Sequence, residues 1–461
     1  MRVYKLLHIN IISLSFLLFI FFVQGIENEI SIFILEGVLC LFYFYGIIWG
    51  ILYIKKYPLA LIMISLFGVF IYSRFILDFF DLLPYDIKLQ TRFIGNYFSE
   101  GTIKQTLIVY IISITGLIIG FVFSDLKSIN CHSYKKNLDD GGEKIIFKLG
   151  ILFLILSIPG LIYKMYYLIE MVNSSGYLAL YKDASPSGIY RVIEFISYKL
   201  YILGVCLLLS CKLSKKVFYI IAALIIIISL IYLFLGKRGD LGISVIFLIW
   251  YWFSYIFYRK KITKSMILGI ITLFFILITS FQFVNYSRSH QEANSLSLLD
   301  FIASQGVSGT VLPYYLEYMN IIDDGSYPYI LAPIMDRMNR GEASVEVLNK
   351  TNYLGYELTY AISPNAYLDG EGVGTSFIAE LYEGGYLCVF LGMLILGYFV
   401  VFFEKNKMSS YLKFISMLFF MTLLFLPRGE LFEYFYELIF FSLLWCILDR
   451  IYVLGVSRKY V

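Results

Sequence analysis

The chain has little charge for its length. Asp, Glu, Lys and Arg make up 15% of its 461 residues, whereas a soluble domain carries about 25%. Hydrophobic residues reach 60% and mean hydropathy is +0.79. This composition excludes an ordinary water-soluble domain and is typical of a protein that lies within a membrane.

Patterns that hold metals, nucleotides or disulfide frameworks are also missing. There is no H-E-x-x-H motif, no Walker A loop and no paired-cysteine cluster. The six cysteines are isolated, and five of them lie in or beside apolar runs. We therefore expect no metal, no cofactor and no nucleotide in the chemistry, and no nucleic-acid partner.

Long apolar runs are what the chain has instead. Runs such as residues 217–235 are continuous rather than alternating, which favours helices over a β-barrel in a bilayer core of about 30 Å. We predict an all-α polytopic membrane protein with about 12 transmembrane helices. The predicted spans are 6–23, 31–54, 58–78, 105–124, 146–166, 190–211, 217–235, 241–258, 265–284, 386–403, 409–426 and 431–448.

Basic residues cluster in alternate connectors. When the predicted spans are threaded through a membrane, every cluster falls on one side, so the positive-inside rule places both termini in the cytoplasm. The clusters contain Arg2 and Lys5, Lys55 and Lys56, Lys127 to Lys144, Lys212 to Lys216, Arg259 to Lys264, Lys405 and Lys407, and Arg450 to Lys459.

One outward connector, residues 286–385, is much longer than the others and is rich in tyrosine. It divides the chain into transmembrane helices 1–9 with short loops (residues 1–285), the large outward loop (286–385), and helices 10–12 with the cytoplasmic C-terminus (386–461). Within the loop, apolar periodicity and stop signals predict short helices over residues 297–304, 311–322 and 334–340.

Arginines recur on the outward side, where the positive-inside rule disfavours them. A shared anionic ligand explains them, because a guanidinium group stays charged and binds phosphate oxygens bidentately. Local pairing with Asp240, Glu430 or Asp336, or contact with lipid phosphate, is the alternative. The candidate anion-binding residues are Arg191, Arg238, Arg288, Arg337, Arg340 and Arg428.

The long loop ends in the sequence GVGTSFIAE, residues 372–380. Two glycines before a helix leave backbone N–H groups that can bind an anion. Partial burial of Glu380 would raise its pKa toward that of a general base. A plain helix start with an acidic first turn is the alternative. His290 is the one outward-facing histidine and a further candidate base.

Charged residues also lie inside predicted spans, namely Glu36, Arg74, Glu194 and Lys199. Each costs about 3 kcal/mol in a membrane, so each needs a partner or a cavity. Pairing of Glu36 with Arg74 is one interpretation, and a proton- or ion-coupled pathway is another.

These features together resemble the bacterial O-antigen polymerase family, the Wzy oligosaccharide repeat unit polymerases. The resemblance covers the whole chain in topology, and the matching parts are residues 236–240, Arg288, and residues 372–380 followed by Gly384 and Gly385. It implies glycosyl transfer at the periplasmic face of the inner membrane. Polymer leaves undecaprenyl diphosphate and joins the non-reducing sugar of a new lipid-linked repeat unit.

The resemblance also implies roles for particular residues. Arg238, Arg288 and Arg428 would bind the departing diphosphate, with Arg191, Arg337 and Arg340 as further candidates. Glu380, Asp240 and His290 are the candidates for the catalytic base. The implied partners are the lipid-linked oligosaccharide, membrane lipid and a Wzz-type chain-length regulator.

Two other functions remain open at this point. An O-antigen ligase shares the topology and the donor, but it uses a histidine in the large loop, and His290 lies only at the start of that loop. A flippase or transporter of lipid-linked oligosaccharide would explain Glu36, Arg74 and Lys199 as cavity charges.

Overall fold

The computed structural model describes most of the chain. The described residues are 30–90, 96–126, 140–175, 189–235, 238–257, 263–264, 268–269, 272–273, 275–280, 298–322, 325–341, 343–405 and 410–457. Within these ranges every regular element is helical, and the only extended pairing is an isolated bridge between Leu89 and Tyr97.

Nine helices among the described residues are long and apolar enough to cross a membrane, so the chain is a multi-pass membrane protein. They are α1 (Ile32–Tyr53), α2 (Pro58–Phe79), α3 (Glu100–Leu126), α4 (Asp140–Ser175), α5 (Ile189–Ser210), α6 (Lys215–Phe234), α7 (Arg238–Tyr251, continued by the π-helical turn Trp252–Ile256), α15 (Gly385–Lys405) and α16 (Ser410–Phe425, continued by the 3-10 turn Leu426–Arg428).

These nine helices match nine of the predicted spans. The last predicted span corresponds to α17 (Phe435–Ser457), whose apolar part Phe435–Leu448 is shorter. The predicted span 6–23 and half of 265–284 lie outside the described residues. The total of 12 and the sides of the termini therefore stay predictions.

The described part of the long loop contains seven short α-helices. They are α8 (Leu298–Gln305), α9 (Val311–Tyr318), α10 (Ala332–Met335), α11 (Val345–Lys350), α12 (Leu354–Ile362), α13 (Pro364–Leu368) and α14 (Phe377–Tyr382). The helices predicted at 297–304 and 311–322 are present, although the second ends at Tyr318.

The helix predicted over residues 334–340 is wrong in its position. Pro333 lies in the first turn of α10, where its fixed φ favours a helix start, so the helix begins and ends earlier. From Asp336 onward the chain makes a tight turn, in which the N–H groups of Asn339 and Arg340 donate to the Asp336 carbonyl oxygen at 2.8 and 3.1 Å.

The chain divides into two compact units. The first contains the described residues of Met1–Ile129, Ser297–Lys405 and Thr422–Phe435, and the second contains those of Asn130–Leu296, Asn406–Met421 and Tyr436–Val461. The described part of the long loop therefore belongs to the same unit as α1, α2, α3 and α15.

Helix α3 forms the centre of the first unit, since 94% of its most apolar window is buried. It packs closely against α15 through glycines. A Cβ on Gly120 would lie 2.2 Å from the Leu394 carbonyl oxygen, and one on Gly397 would lie 2.3 Å from that of Leu117. Small residues allow such close backbone contact between membrane helices.

The start of the long loop packs deep among these helices. A 3-10 turn, Gly306–Thr310, joins α8 to α9, and the Tyr110 hydroxyl donates to the Gly309 carbonyl oxygen at 2.7 Å. A Cβ on Gly309 would lie 2.3 Å from the Ile71 carbonyl oxygen. At 1.5 Å per residue, Tyr110 lies about 15 Å along α3 from Glu100. Irregular backbone at such a depth is tolerated because protein surrounds it.

The charged residues within spans have protein partners. In the second unit, Lys164 Nζ lies 2.6 Å from Glu194 Oε1, and Lys199 Nζ lies 2.6 Å from Glu437 Oε1. In the first unit, Glu36 is hydrogen-bonded to Asp78. Arg74 Nε donates to the Ala303 carbonyl oxygen at 3.1 Å, which ties α2 to the long loop. These contacts give each group the partner that a low-dielectric environment requires.

Candidate functional site

The first unit brings the long loop against the short connector 429–434, which joins α16 to α17. Arg337 Nη1 donates to the Glu433 carbonyl oxygen at 2.7 Å. Arg340 Nη1 lies 2.7 Å from Glu433 Oε2 and 3.5 Å from Glu430 Oε2. We call these four residues the arginine clamp, because they join the loop to the connector through charged contacts.

The turn at 336–340 positions both arginines. The buried Asp336 carboxylate accepts the Asn352 N–H at 2.7 Å and is also hydrogen-bonded to the Tyr327 side chain. This anchoring places Arg337 and Arg340, three residues apart, toward the connector. The Arg340 guanidinium also lies 4.6 Å from the centre of the Tyr353 ring, a cation–π contact.

The two carboxyls of the clamp differ in exposure. The side chain of Glu430 is 8% exposed, whereas that of Glu433 is 37% exposed. Burial raises the pKa of Glu430 to about 8, with Arg340 opposing the rise and the hydrogen-bonded Glu433 adding to it. Because two neighbouring carboxylates repel each other, the buried Glu430 is driven toward its neutral form.

Arg340 balances the remaining charge of this pair. Burial disfavours its charged form, but Glu430 and Glu433 outweigh that effect and raise the pKa of Arg340 above its ordinary value. The clamp therefore contains a permanent cation next to a carboxyl pair that can gain or lose a proton near neutral pH.

Glu380 lies close to the clamp at the end of the long loop. It is buried in the short helix α14, which Ser376 caps by accepting the Ala379 N–H at 3.3 Å. Glu380 Oε1 accepts the Thr375 hydroxyl at 2.7 Å, while Oε2 is buried without a hydrogen-bond partner. Burial, with a further contribution from Glu430, raises the pKa of Glu380 well above its usual value.

Glu380, which was expected to be partly buried, is fully buried, and this burial favours the neutral form of its carboxyl. A neutral carboxyl donates a hydrogen bond, and it acts as a base only after losing its proton. Its unpartnered oxygen is a polar atom available to a bound molecule.

The backbone of residues 372–380 is less open to an anion than the sequence predicts. The Val373 N–H donates to Thr359 Oγ1 at 3.1 Å, and the Ala379 N–H is taken up by the Ser376 cap. Gly374 has φ +78°, a conformation that favours glycine, which accounts for the second glycine of this run.

The first unit collects four of the predicted site residues. Arg337 and Arg340 form the clamp, Glu380 lies near it, and Arg428 ends the 3-10 turn before the connector. The exposed Arg428 guanidinium lies 5.1 Å from the centre of the Phe70 ring. Pairing with Asp240, Glu430 or Asp336 is the sequence-based alternative to ligand binding. Arg340 does pair with Glu430, and it pairs with Glu433 as well.

The other predicted site residues lie in the second unit or outside the described residues. Arg191 lies in the first turn of α5, and Arg238 and Asp240 lie in the first turn of α7, all in the second unit. The side chains of Arg191 and Arg238 are outside the described set. Arg288 and His290 lie wholly outside the described residues, so the roles of these five residues stay predictions.

Sequence reasoning missed Glu433, Tyr353 and Asn352 as parts of the site. Glu430 and Glu433 are spaced three residues apart next to Arg428, which indicates a charged cluster in the connector. Their partner Arg340 is 90 and 93 positions away in the chain, so no local pattern could identify it.

The family model described as O-antigen polysaccharide polymerase Wzy matches residues 9–458, which is nearly the whole chain. No curated protein and no solved structure matches the chain.

Proposed function

The chain belongs to the O-antigen polysaccharide polymerase Wzy family, and we propose that it polymerises undecaprenyl-diphosphate-linked repeat units at the periplasmic face of the inner membrane. The observation that carries this proposal is the family match over residues 9–458. That match favours a polymerase over a ligase or a flippase.

The proposed reaction is a glycosyl transfer. A hydroxyl oxygen of the acceptor repeat unit attacks the anomeric carbon of the donor polymer. The bond between that carbon and the diphosphate breaks, and the lipid diphosphate leaves with the electron pair. The hydroxyl proton passes to a base. The enzyme must therefore stabilise a departing anion and accept one proton.

Guanidinium groups at the level of the membrane surface suit the departing anion. Arg337, Arg340 and Arg428 all lie within or beside the connector between two membrane helices. In the described state Arg340 is bound to Glu433 and Glu430, so a diphosphate competes with these carboxyls for the same cation. Arg238, Arg288 and Arg191 are proposed to complete the set from other parts of the chain.

The carboxyls near the clamp suit the proton transfer. With a pKa of about 8, Glu430 must lose its proton before it can act as the base, and that loss is accessible near neutral pH. Glu380 fits a complementary role, because its neutral carboxyl can donate a hydrogen bond through the buried Oε2 to a substrate oxygen. Asp240 and His290 remain alternative bases.

The remaining partners follow from the same reaction. The lipid-linked oligosaccharide is the substrate, and its polyprenyl chain lies among membrane lipids beside the apolar helices. A Wzz-type chain-length regulator is the proposed protein partner. No metal, cofactor or nucleotide is proposed, because the lipid diphosphate itself is the leaving group.

Surface polysaccharide in cells tests this proposal. Loss of a polymerase leaves single repeat units on the surface, loss of a ligase leaves polymer on its carrier, and loss of a flippase leaves units facing the cytoplasm. We expect the first outcome on deletion of this chain. With Arg238→Ala or Arg288→Ala at normal protein levels we expect little polymer, and unchanged polymer length and amount would contradict the diphosphate-binding role.

A further inference from the structure

Two methionines on the long loop are exposed to an unusual degree. Met338 is 98% exposed and Met335 is 59% exposed. Met338 is the most exposed large apolar side chain among the residues for which exposure is described, ahead of Phe234 at 85%, which lies at the end of a spanning helix. In water, such side chains present apolar surface without any compensation.

The position of these methionines is fixed by the arginine clamp. Met338 lies between Arg337 and Arg340, both of which bind Glu433 directly, at 2.7 Å in each case. Glu433 belongs to the connector 429–434, which joins the membrane helix α16 to α17. Because so short a connector between two apolar helices must run along the membrane surface, the turn bound to it lies at that surface too.

The geometry of the turn separates its charged and apolar side chains. Arg337 and Arg340 are three residues apart and face the connector. Met335 and Met338 are also three residues apart, and each lies two positions before one of the arginines. Both methionine side chains face away from protein. A surface turn with apolar side chains flanked by arginines matches the membrane interface, where acyl chains meet anionic phosphates.

We propose that Met335 and Met338, here called the methionine tip, insert into the acyl-chain boundary of the leaflet next to the connector 429–434. The occupant of this apolar surface is bilayer phospholipid. Inserted in this way, the tip fixes the turn 336–340 at the depth where lipid headgroups lie. It thereby keeps the arginine clamp at the level of a lipid-borne phosphate.

Site-specific photocrosslinking tests the tip directly. A genetically encoded benzophenone amino acid replaces Met338 in the full-length chain, which is then placed in nanodiscs of phosphatidylethanolamine and phosphatidylglycerol without any oligosaccharide substrate. After illumination, mass spectrometry of the labelled peptide shows which molecules are attached. We expect phospholipid adducts at position 338, and the result does not depend on the reaction that the protein catalyses.

Two control positions calibrate this measurement. Phe399 is 43% exposed on the spanning helix α15 and should give phospholipid adducts, whereas the exposed, charged Glu371 on the same loop should give few. Adducts at 338 that match the yield at Phe399 support insertion. A yield no higher than at Glu371, or adducts with a second copy of the chain instead, would overturn the proposal.

A tryptophan variant gives an independent answer if the photoreactive variant does not purify as a single species. Met338→Trp adds one fluorophore to the four native tryptophans. We expect phospholipids brominated on their acyl chains to quench the added emission relative to the unsubstituted protein. Added emission that is quenched by aqueous iodide and not by brominated lipid would contradict insertion of the tip.

Discussion

Replacing Arg340 with alanine should open the contact between the long loop and the connector. The guanidinium has three partners, which are Glu433 Oε2 at 2.7 Å, Glu430 Oε2 at 3.5 Å and the Tyr353 ring at 4.6 Å. The Arg340 and Glu433 side chains are 39% and 37% exposed, so their ion pair is screened by water and contributes about 0.5 kcal/mol.

The other two partners add to this value. A cation–π contact at a half-exposed site contributes about 0.5–1 kcal/mol. The buried Glu430 loses its cation, but protonation limits the loss to about 1 kcal/mol. The sum is about 2 kcal/mol, which corresponds to about a 30-fold change in the equilibrium between open and closed contact.

Hydrogen–deuterium exchange of the purified protein measures this opening. Arg340→Ala should speed exchange in peptides that cover residues 329–341, and adding Glu430→Gln should restore part of the protection because it removes the remaining repulsion between Glu430 and Glu433. Lys350→Ala is the matched control, since Lys350 pairs only with Glu346 through side chains that are 59% and 76% exposed. Exchange in Arg340→Ala equal to that of Lys350→Ala would refute the clamp.

Three further predictions test other parts of the structure. The pKa of Glu430 in the folded protein, about 8, exceeds its ordinary 4.5. The contribution of Glu430 to stability is therefore full below pH 4.5 and is lost as pH rises through about 8. The melting temperature should fall across that pH window, and Glu430→Gln should make the fall smaller. Glu380→Gln should melt close to the unsubstituted protein, because burial favours the neutral carboxyl and an amide has nearly the same shape. Glu380→Ala should lose about 2–4 kcal/mol because it leaves a cavity. Equal melting of the two variants would contradict this. Gly397→Ala should sharply reduce the yield of monodisperse protein, because the added Cβ would lie 2.3 Å from the Leu117 carbonyl oxygen. Gly239→Ala is the control and should not reduce the yield, because no atom lies within 4 Å of its added Cβ. Similar yields of the two variants would contradict the contact between α3 and α15.

The membrane helices could be predicted because their signal is local. The apolar run at 105–124 alone identifies α3, whose observed bounds are Glu100–Leu126. The added turns at its ends depend on polar contacts, such as Glu317 accepting the Ser99 N–H at 2.8 Å, that no hydropathy pattern contains.

The interior position of Gly306–Thr310 could not be predicted from its composition. Its small and polar residues, Gly-Val-Ser-Gly-Thr, are typical of an exposed turn. They are buried because Gly309 fits against Ile71 and its carbonyl oxygen accepts the Tyr110 hydroxyl, and both partners are more than a hundred residues away.

Part of the candidate site could be predicted because its sequence signal is also local. The arginines could be selected because Lys and Arg are disfavoured in connectors that are predicted to face outward. Glu380 could be selected because it follows a glycine-rich run at a helix start. The pairing of Arg340 with Glu430 and Glu433 required the fold, since the loop and the connector meet only in three dimensions.

Incubation of the purified protein with its own lipid-linked repeat unit tests the central claim most directly. The assay contains no added metal, nucleotide or second enzyme, and the proposed function predicts activity under these conditions. The proposed function predicts a ladder of lipid-linked polymers, with one undecaprenyl diphosphate released for each unit added. If folded protein left the repeat unit unextended and released no lipid diphosphate, the proposed polymerase function would be contradicted.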